Sequence, residues 1–271
     1  MPQTLIPLCI PAIRRGLAEF SEIRVIQHDI IDSTNTEAKR LAMEQGCPTT
    51  LIAAAEQTAG RGRMGRNFYS PSGTGLYMTL LWRTEKALDE AVSVTAAAAV
   101  AAYRAIRSVA KTETDIKWVN DLYRNGRKVC GILTEAVTPR PGETYIAVGW
   151  GINLCTESFP SGLRSPAGSL IDINTPCGTP LDVGLLCGSI ARELLAILSE
   201  DAISAPATLA EYRQHLMLIG EQVCATRGNE TCEGTVRGVD DNYGLILETQ
   251  DGIRTMHSGE VSVRIVTQQR R

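Results

Sequence analysis

Between Gly60 and Arg66 the chain reads Gly-Arg-Gly-Arg-Met-Gly-Arg, so Arg61, Arg63 and Arg66 alternate with three glycines. Guanidinium forks hold phosphate or carboxylate oxygens bidentately, and glycines let the backbone close over a ligand. Further on, Lys117-Trp-Val-Asn-Asp121 places a cation, an amide and a carboxylate within five residues, and Arg127-Lys128 opens a strand after an Asn-Gly turn. A cation beside an acid and an α-phosphate, a carboxylate that helps to hold Mg²⁺, and a loop that keeps water from a mixed anhydride are the parts that activation of an acid by ATP requires. Singly, each has a plainer reading: a solvated basic turn, a surface lysine at Lys128, a turn residue at Asp121. The set carries the argument.

Gly60, Gly62 and Gly65 also match the dinucleotide fingerprint G-x-G-x-x-G literally. That motif needs a helix directly after the glycines and an acidic residue about twenty positions on. Here Asn67 to Trp82 contains Pro71, Gly73 and Gly75 and then alternates like a strand. A kinase glycine loop fails as well, because the chain has neither HRD nor DFG.

The elements that must position these groups can be read from pattern. Ile23 to His28 is a strand, and Asp32-Ser-Thr-Asn-Thr-Glu37 follows it, with Thr34 and Glu37 at capping-box spacing ahead of a helix that Gly46 ends. Ser33 to Asn35 thus sit where strand hands over to helix, and the exposed N–H groups there suit a polar ligand. Thr50 to Glu56 is a buried strand with Gln57 at its end, Gly60 to Gly75 a loop, and Leu76 to Trp82 a strand. An Ala-rich helix covers Leu88 to Ala110, with short strands at Thr114 to Trp118 and Leu122 to Arg124. Asn125-Gly126 makes a hairpin into Lys128 to Val137, and Tyr145 to Asn153 is a further strand. After a loop from Thr156 to Pro180, helices fall at Leu181 to Leu198 and Thr208 to Leu218. From Gly220, strands around Val223, Val236, Leu245 and Val261 alternate with turns at Arg227 to Asn229, Asp240 to Tyr243 and Gln250 to Gly252. That is the pattern of a small β-barrel, with a boundary near residues 218 to 220.

Composition sets the limits. A chain of 271 residues with 44% hydrophobic content builds a sizeable core, and a net charge of −3 gives no general attraction to nucleic acid or to an anionic membrane. The longest apolar run, Ala96 to Ala102, is too short for a membrane span. Pro2, Pro7 and Pro11 interrupt an N-terminus that has no basic start, so a secretory signal is not expected and a reducing cytoplasm is. The eight cysteines, at 9, 47, 130, 155, 177, 187, 224 and 232, have no zinc-ligand spacing and read as small buried residues.

The ordered series Asp32-Ser-Thr-Asn35, Glu56-Gln57, Gly60-Arg-Gly-Arg63 with Gly65-Arg66, Ser70-Pro71, Lys117-Trp118 with Asn120-Asp121, Arg127-Lys128 with Gly131-Ile132-Leu133, and Gly149 to Asn153 resembles the biotin-protein ligase family. The likeness covers about residues 25 to 155, and the small C-terminal barrel is similar to the family's SH3-like domain. The resemblance implies an α+β fold, a mixed sheet backed by helices in the class II synthetase-like manner. It divides the chain into a leader (1–24), a catalytic biotin- and ATP-binding domain (25–218) and the barrel (219–271). Biotin contacts then fall on Ser33, Thr34, Asn35, Gln57, Arg61, Gly62, Arg63 and Lys128, while Arg63, Lys117, Asn120, Asp121 and Asn153 lie on the ATP and Mg²⁺ side. Arg63 guards the adenylate, Lys128 holds biotin's carboxylate and the developing charge, Lys117 joins them in catalysis, and Asp121 is the candidate Mg²⁺ ligand. The implied reaction forms biotinyl-5′-AMP and passes biotin to one lysine of the biotin carboxyl carrier protein of acetyl-CoA carboxylase. A homodimer is an assembly that the family also uses. Val119 stands where the family usually has Pro, and Asn67-Phe68 where it has a basic residue and Trp, which leaves Phe68 to stack on the adenine.

Three other readings stay in view. A lipoate or octanoate ligase or transferase resembles this fold, though the Gly-Arg-Gly-Arg loop and the barrel favour biotin. A biotin-responsive repressor needs an N-terminal winged helix, which residues 1–24 are too few to build, so the monofunctional type is expected. A non-catalytic adenylate binder would be favoured if Lys128 or Asp121 were dispensable.

Overall fold

Strands whose apolar residues run continuously need packing on both faces, and the central strands of this chain read that way. The computed structural model describes residues 5–84, 91–163, 165–171, 180–199, 203, 205–227, 230–257 and 261–265. In chain order its elements are β1 (Leu5–Ile6), α1 (Ile10–Leu17), β2 (Arg24–Ile31), α2 (Thr34–Ala42), β3 (Thr50–Gln57), β4 (Gly75–Thr84) and α3 (Ala91–Ala105). A π-helical turn at Ile106–Ala110 leads to β5 (Asp115–Lys117), β6 (Asp121–Arg124), β7 (Arg127–Arg140), β8 (Glu143–Asn153), β9 (Leu181–Asp182), α4 (Val183–Ser199) and α5 (Pro206–Gln214). Then come β10 (Gln222–Arg227), β11 (Glu230–Val239), β12 (Leu245–Thr249), β13 (Gly252–Met256) and β14 (Val261–Ile265).

The main sheet has seven strands in the order β2-β3-β4-β8-β7-β6-β5. β2 and β3 run parallel and every other neighbouring pair is antiparallel, so the sheet is mixed. One face carries Leu51, Ala53, Met78, Leu80, Val148, Trp150 and Ile152 against α3 and α4. Every residue from Ala96 to Ala102 is buried, and small alanines let α3 lie close enough for the Trp150 indole to donate to the Ala98 carbonyl at 3.1 Å. The other face carries Ile52, Leu81, Tyr145 and Ala147 against Ala38, Leu41 and Ala42 of α2. That helix is short, and the sheet beyond its N-terminus is left for something else.

The described residues ahead of β2, 5–23, lie against the main unit. β1 pairs in parallel with β9, Arg15 meets Asp182 at 2.7 Å, and α1 packs on α4 at backbone distance through Gly16, Gly184 and Gly188. The C-terminal strands form a five-stranded antiparallel unit in the order β13-β12-β11-β10-β14. It is anchored at Tyr243, whose carbonyl accepts from the Trp118 indole at 2.7 Å and whose hydroxyl donates to the Ile203 carbonyl at 2.6 Å. Tyr243 is fully buried, packs edge-on to Tyr212 at 5.2 Å, and burial pushes its phenol up to about 12.

Several boundaries differ from the sequence reading. α2 is capped by Ser33, whose hydroxyl accepts from Thr36 N at 3.5 Å, so the cap lies one residue before Thr34. The helix stops at Ala42, and Gly46 (φ 66°) takes a left-handed conformation in the turn after it. The turn at Gln250 to Gly252 falls where the sequence places it, but it opens a further strand, β13, that the sequence reading does not include. Residues 85–90, where the α3 reading began, Cys177, and the centre of the Arg227 to Asn229 turn lie outside the described residues. No helix among the described residues is long and apolar enough to cross a membrane.

The α1–α4 contact is testable. A Cβ on Gly188 would lie 2.8 Å from Gly16 Cα and closer still to the Ile13 carbonyl, so Gly188→Ala must part the helices. Overpacking of this kind costs about 1–3 kcal/mol. Urea unfolding should show that loss, and an unshifted midpoint would mean the helices do not touch there.

Candidate active site

The exposed remainder of the α2 face is a strip without side chains. Gly131 of β7 lies opposite Gly151 of β8, and Leu133 lies opposite Gly149. These three glycines form the floor of a pocket that Ser33, Gln57, Arg63 and Lys128 also line. Each is required by contact and not by dihedral angle. A Cβ on Gly149 would enter the Asn35 side chain, and one on Gly151 would reach a Phe68 ring carbon at 2.5 Å.

The wall at the start of α2 is a ring of hydrogen bonds. Gln57, the last residue of β3, accepts from Thr34 N at 2.8 Å and from the Thr34 hydroxyl at 3.2 Å, and its amide donates to Ser70 Oγ at 3.0 Å. Thr79 of β4 stands within 2.8 Å of both Thr34 Oγ1 and Asn35 Oδ1. Behind Asn35 lies Glu135, which accepts from Asn35 Nδ2 at 3.1 Å and from Lys39 at 2.5 Å. Asp32 secures the entry to the helix by pairing with Arg40 at 2.5 Å, and that bond holds its carboxyl below the usual range.

The opposite wall is the Arg-Gly loop. It folds back on itself through Gly62 N to the Arg66 carbonyl at 2.7 Å and Phe68 N to the Gly60 carbonyl at 2.8 Å, with a 3-10 turn at Arg63–Gly65. Arg63 turns inward and donates to Asn120 Oδ1 at 3.0 Å. Burial holds its guanidinium below the usual arginine range, with Asp121 opposing and Arg66 adding. An arginine so placed keeps its charge. Arg61 is half exposed with Glu135 at 3.9 Å, and Arg66 points away toward Met64.

At the pocket's far end Lys128 pairs with Asp121 at 2.6 Å. The two come from adjacent strands joined at Asn125-Gly126, where φ values of 51° and 71° make the tight hairpin that this dipeptide favours. Asn120 is pinned to β7 on both sides, its amide donating to the Ile132 carbonyl at 3.0 Å and Ile132 N donating to its carbonyl at 2.8 Å.

Of the residues singled out in the sequence, Ser33, Thr34, Asn35, Gln57, Arg61, Gly62, Arg63, Asn120 and Lys128 line this one pocket, and Asp121 joins them through Lys128. Lys117 and Asn153 stand off the lining. Lys117 Nζ lies 5.2 Å from the Tyr123 ring centroid, and Asn153 donates to the carbonyls of Gly168 and Lys128 at 3.2 and 3.4 Å, bracing the segment that runs beside Lys128. Phe68 lines the pocket and lies against Gly151 and Gly131. Thr79, Ser70 and Glu135 were missed. Gly149-Trp-Gly151 carried a usable signal, since glycine at every second position of a strand leaves one face bare.

A small-molecule pocket in the middle of a mixed sheet, with a cation–carboxylate pair at one end and an arginine loop over it, defines an enzyme of the acid-activating class. The comparisons narrow it. Residues 28–153 match the model of the biotin/lipoate A/B protein ligase family, and residues 218–264 match the biotin protein ligase C terminal domain. The bifunctional ligase/repressor BirA of Bacillus spizizenii is 35% identical over 93% of this chain and 78% of its own length. The biotin–[acetyl-CoA-carboxylase] ligase of Paracoccus denitrificans is 30% identical over 85% of this chain and 96% of its own. Among solved structures, the biotin protein ligase from Aquifex aeolicus in complex with biotin and ATP superposes with a TM-score of 0.75 at 26% identity, covering 90% of this chain and 99% of that one. The chain belongs to the biotin/lipoate A/B protein ligase family.

The ring at the start of α2 should be felt in stability. Thr79→Val keeps the shape and removes the hydroxyl between Thr34 and Asn35, leaving buried polar atoms unpaired at about 1–3 kcal/mol. A loss of that size in urea unfolding is expected, and no loss would show that water replaces the hydroxyl.

Proposed function

We propose that this chain is a biotin protein ligase that activates biotin with ATP and transfers it to one lysine of a carrier protein. The observation that carries the proposal is the layout of this pocket. Its one end is a ring of hydrogen-bonding groups, Thr34, Asn35, Gln57 and Thr79, and its other end is the Lys128–Asp121 pair under Arg63. A heterocycle with both N–H and C=O groups complements such a ring. An alkyl chain leaves it unpaired, and sites built to hydrogen-bond a ligand reject analogues that lack the groups. This supports biotin over octanoate or lipoate.

In the first step a carboxylate oxygen of biotin attacks the α-phosphorus of ATP, the bond to the β-phosphate oxygen breaks, and pyrophosphate leaves. Lys128 holds the carboxylate and Arg63 the α-phosphate, two cations where negative charge crowds. In the second step the neutral amine of the acceptor lysine attacks the biotinyl carbonyl carbon, the C–O bond to phosphate breaks, AMP leaves, and the amine loses a proton. The loop over Arg63 keeps water from the mixed anhydride until then. We assign Lys117, Asn120 and Asn153 to the nucleotide side as positioning groups.

Among the described residues no cluster of three His, Cys, Asp or Glu could hold a metal. The single carboxylate of Asp121 suits Mg²⁺ that arrives on the phosphates of ATP, a mode in which the protein supplies one or two ligands. The ion would neutralise phosphate charge. No cysteine is needed: burial pushes the Cys130 and Cys187 thiols up and away from nucleophilic use. The described cysteines are free thiols, in keeping with a cytoplasmic setting, and the acceptor we propose is the carboxyl carrier protein of acetyl-CoA carboxylase.

The test is pyrophosphate release with MgATP and biotin, octanoate or lipoate, with a carrier domain whose lysine is intact or replaced. Turnover that needs biotin and the carrier lysine is expected. Dependence on octanoate or lipoate would move the chain to the lipoyl branch, and silence with all three would leave a binding role. Lys128→Ala should lower biotin-dependent release by roughly 100-fold or more with the fold intact; near-normal release would remove Lys128 from the mechanism. Arg63→Gly should free biotinyl-5′-AMP to label lysines indiscriminately, and unchanged single-site labelling by mass spectrometry would argue against its guard role.

A further inference from the structure

We infer that Glu135 is a positioning residue that fixes which end of the Asn35 amide faces the ligand, and so makes the pocket demand an N–H donor; the inference rests on the biotin reading. Asn35 is buried and has two chemically opposite ends. On one side its neighbours are Glu135 Oε2 at 3.1 Å and the Leu133 carbonyl at 3.3 Å, both acceptors with no proton to give. Only Nδ2 fits there, and a flipped amide would set oxygen against two oxygens. Both Nδ2 protons are thereby engaged.

The other end, Oδ1, then faces Thr79, whose hydroxyl lies at 2.8 Å and has one proton to give. What remains for a ligand at Asn35 is an acceptor lone pair, and the complementary group is an N–H. Glu135 does not line the pocket itself. Its Oε1 faces Lys39 at 2.5 Å and Arg61 at 3.9 Å, which leaves Oε2 for Asn35. One carboxylate thus ties α2, β7 and the arginine loop together behind the amide.

The experiment uses the full chain, MgATP, biotin and a biotin methylated at its ureido nitrogens. Wild type should bind the methylated compound at least about tenfold more weakly than biotin, since the donor is gone. Glu135→Gln, whose amide can donate as readily as accept, should raise the KM for biotin about tenfold, leave kcat and the KM for ATP within about twofold, and narrow the gap between the two compounds. Lys39→Met breaks the ion pair but keeps the acceptor, and should leave the biotin KM within about threefold. Equal binding of both compounds by wild type overturns the inference without any variant. So does an unchanged biotin KM in Glu135→Gln, an equal loss in Lys39→Met, or a common fall in kcat and ATP affinity. Wild-type protein that shows no biotin-dependent release fails the biotin reading instead, and takes this inference with it.

Discussion

A sheet packed on both faces has no room for a ligand unless side chains are missing where the ligand must lie. Gly131, Gly149 and Gly151 supply that gap, and the neighbouring elements are arranged around it. α2 covers the face only as far as Ala147, and its first residues, Ser33 to Asn35, end at the gap's edge. A methyl on Gly149 would drive Asn35 from its place, and with it the bonds to Thr79 and Glu135. The floor therefore sets the ring of hydrogen bonds as well as the volume.

Lys128, Asp121 and Arg63 gather charge at one end of the pocket. Arg63 is largely removed from water yet is met by Asn120, and the negative charge of Asp121 offsets part of the cost of its burial. Lys128 and Asp121 neutralise each other across a hairpin in the absence of ligand. With Asn120 on Arg63 and Asp121 on Lys128, neither cation is left bare in a low-dielectric place. At the ring end Ser33, Thr34, Asn35 and Gln57 are uncharged, and Arg61 beside them faces Glu135 at 3.9 Å.

Local chemistry explains what could be read in the chain and what could not. The strands around Gln57, Lys128 and Asn153 and the Asn125-Gly126 hairpin were legible, because period-two apolar patterning and left-handed turn residues act over a few neighbours. The family resemblance rested on short motifs, many of whose residues the fold brings to one pocket, while Lys117 and Asn153 stand off it. Thr79 and Glu135 were not legible, since a threonine or a glutamate in a strand looks alike whether it faces solvent or a buried asparagine. Nor were the contacts of Phe68 with Gly131 and Gly151 legible, since they come from strands far along the chain. The one-residue error at the α2 cap arose because Ser33 and Thr34 are both good caps and only the backbone decides between them.

The two ends of the pocket answer to different parts of the molecule. Thr34, Asn35 and Gln57 are held by α2, β3, β4 and Glu135, all within the main sheet. Asn120 and Asp121 lie on the segment that follows Trp118, and the Trp118 indole is bonded to the Tyr243 carbonyl of the C-terminal unit. Tyr243 has a left-handed backbone (φ 60°), and the turn around it is closed by Asp240, which accepts from Asn242 N at 2.9 Å and Gly244 N at 2.7 Å. A displacement of the barrel would thus reach Asn120 and Asp121 through Trp118 before it disturbed the ring end. The C-terminal unit is in this sense tied to the charged end of the site, although none of its described residues lines the pocket.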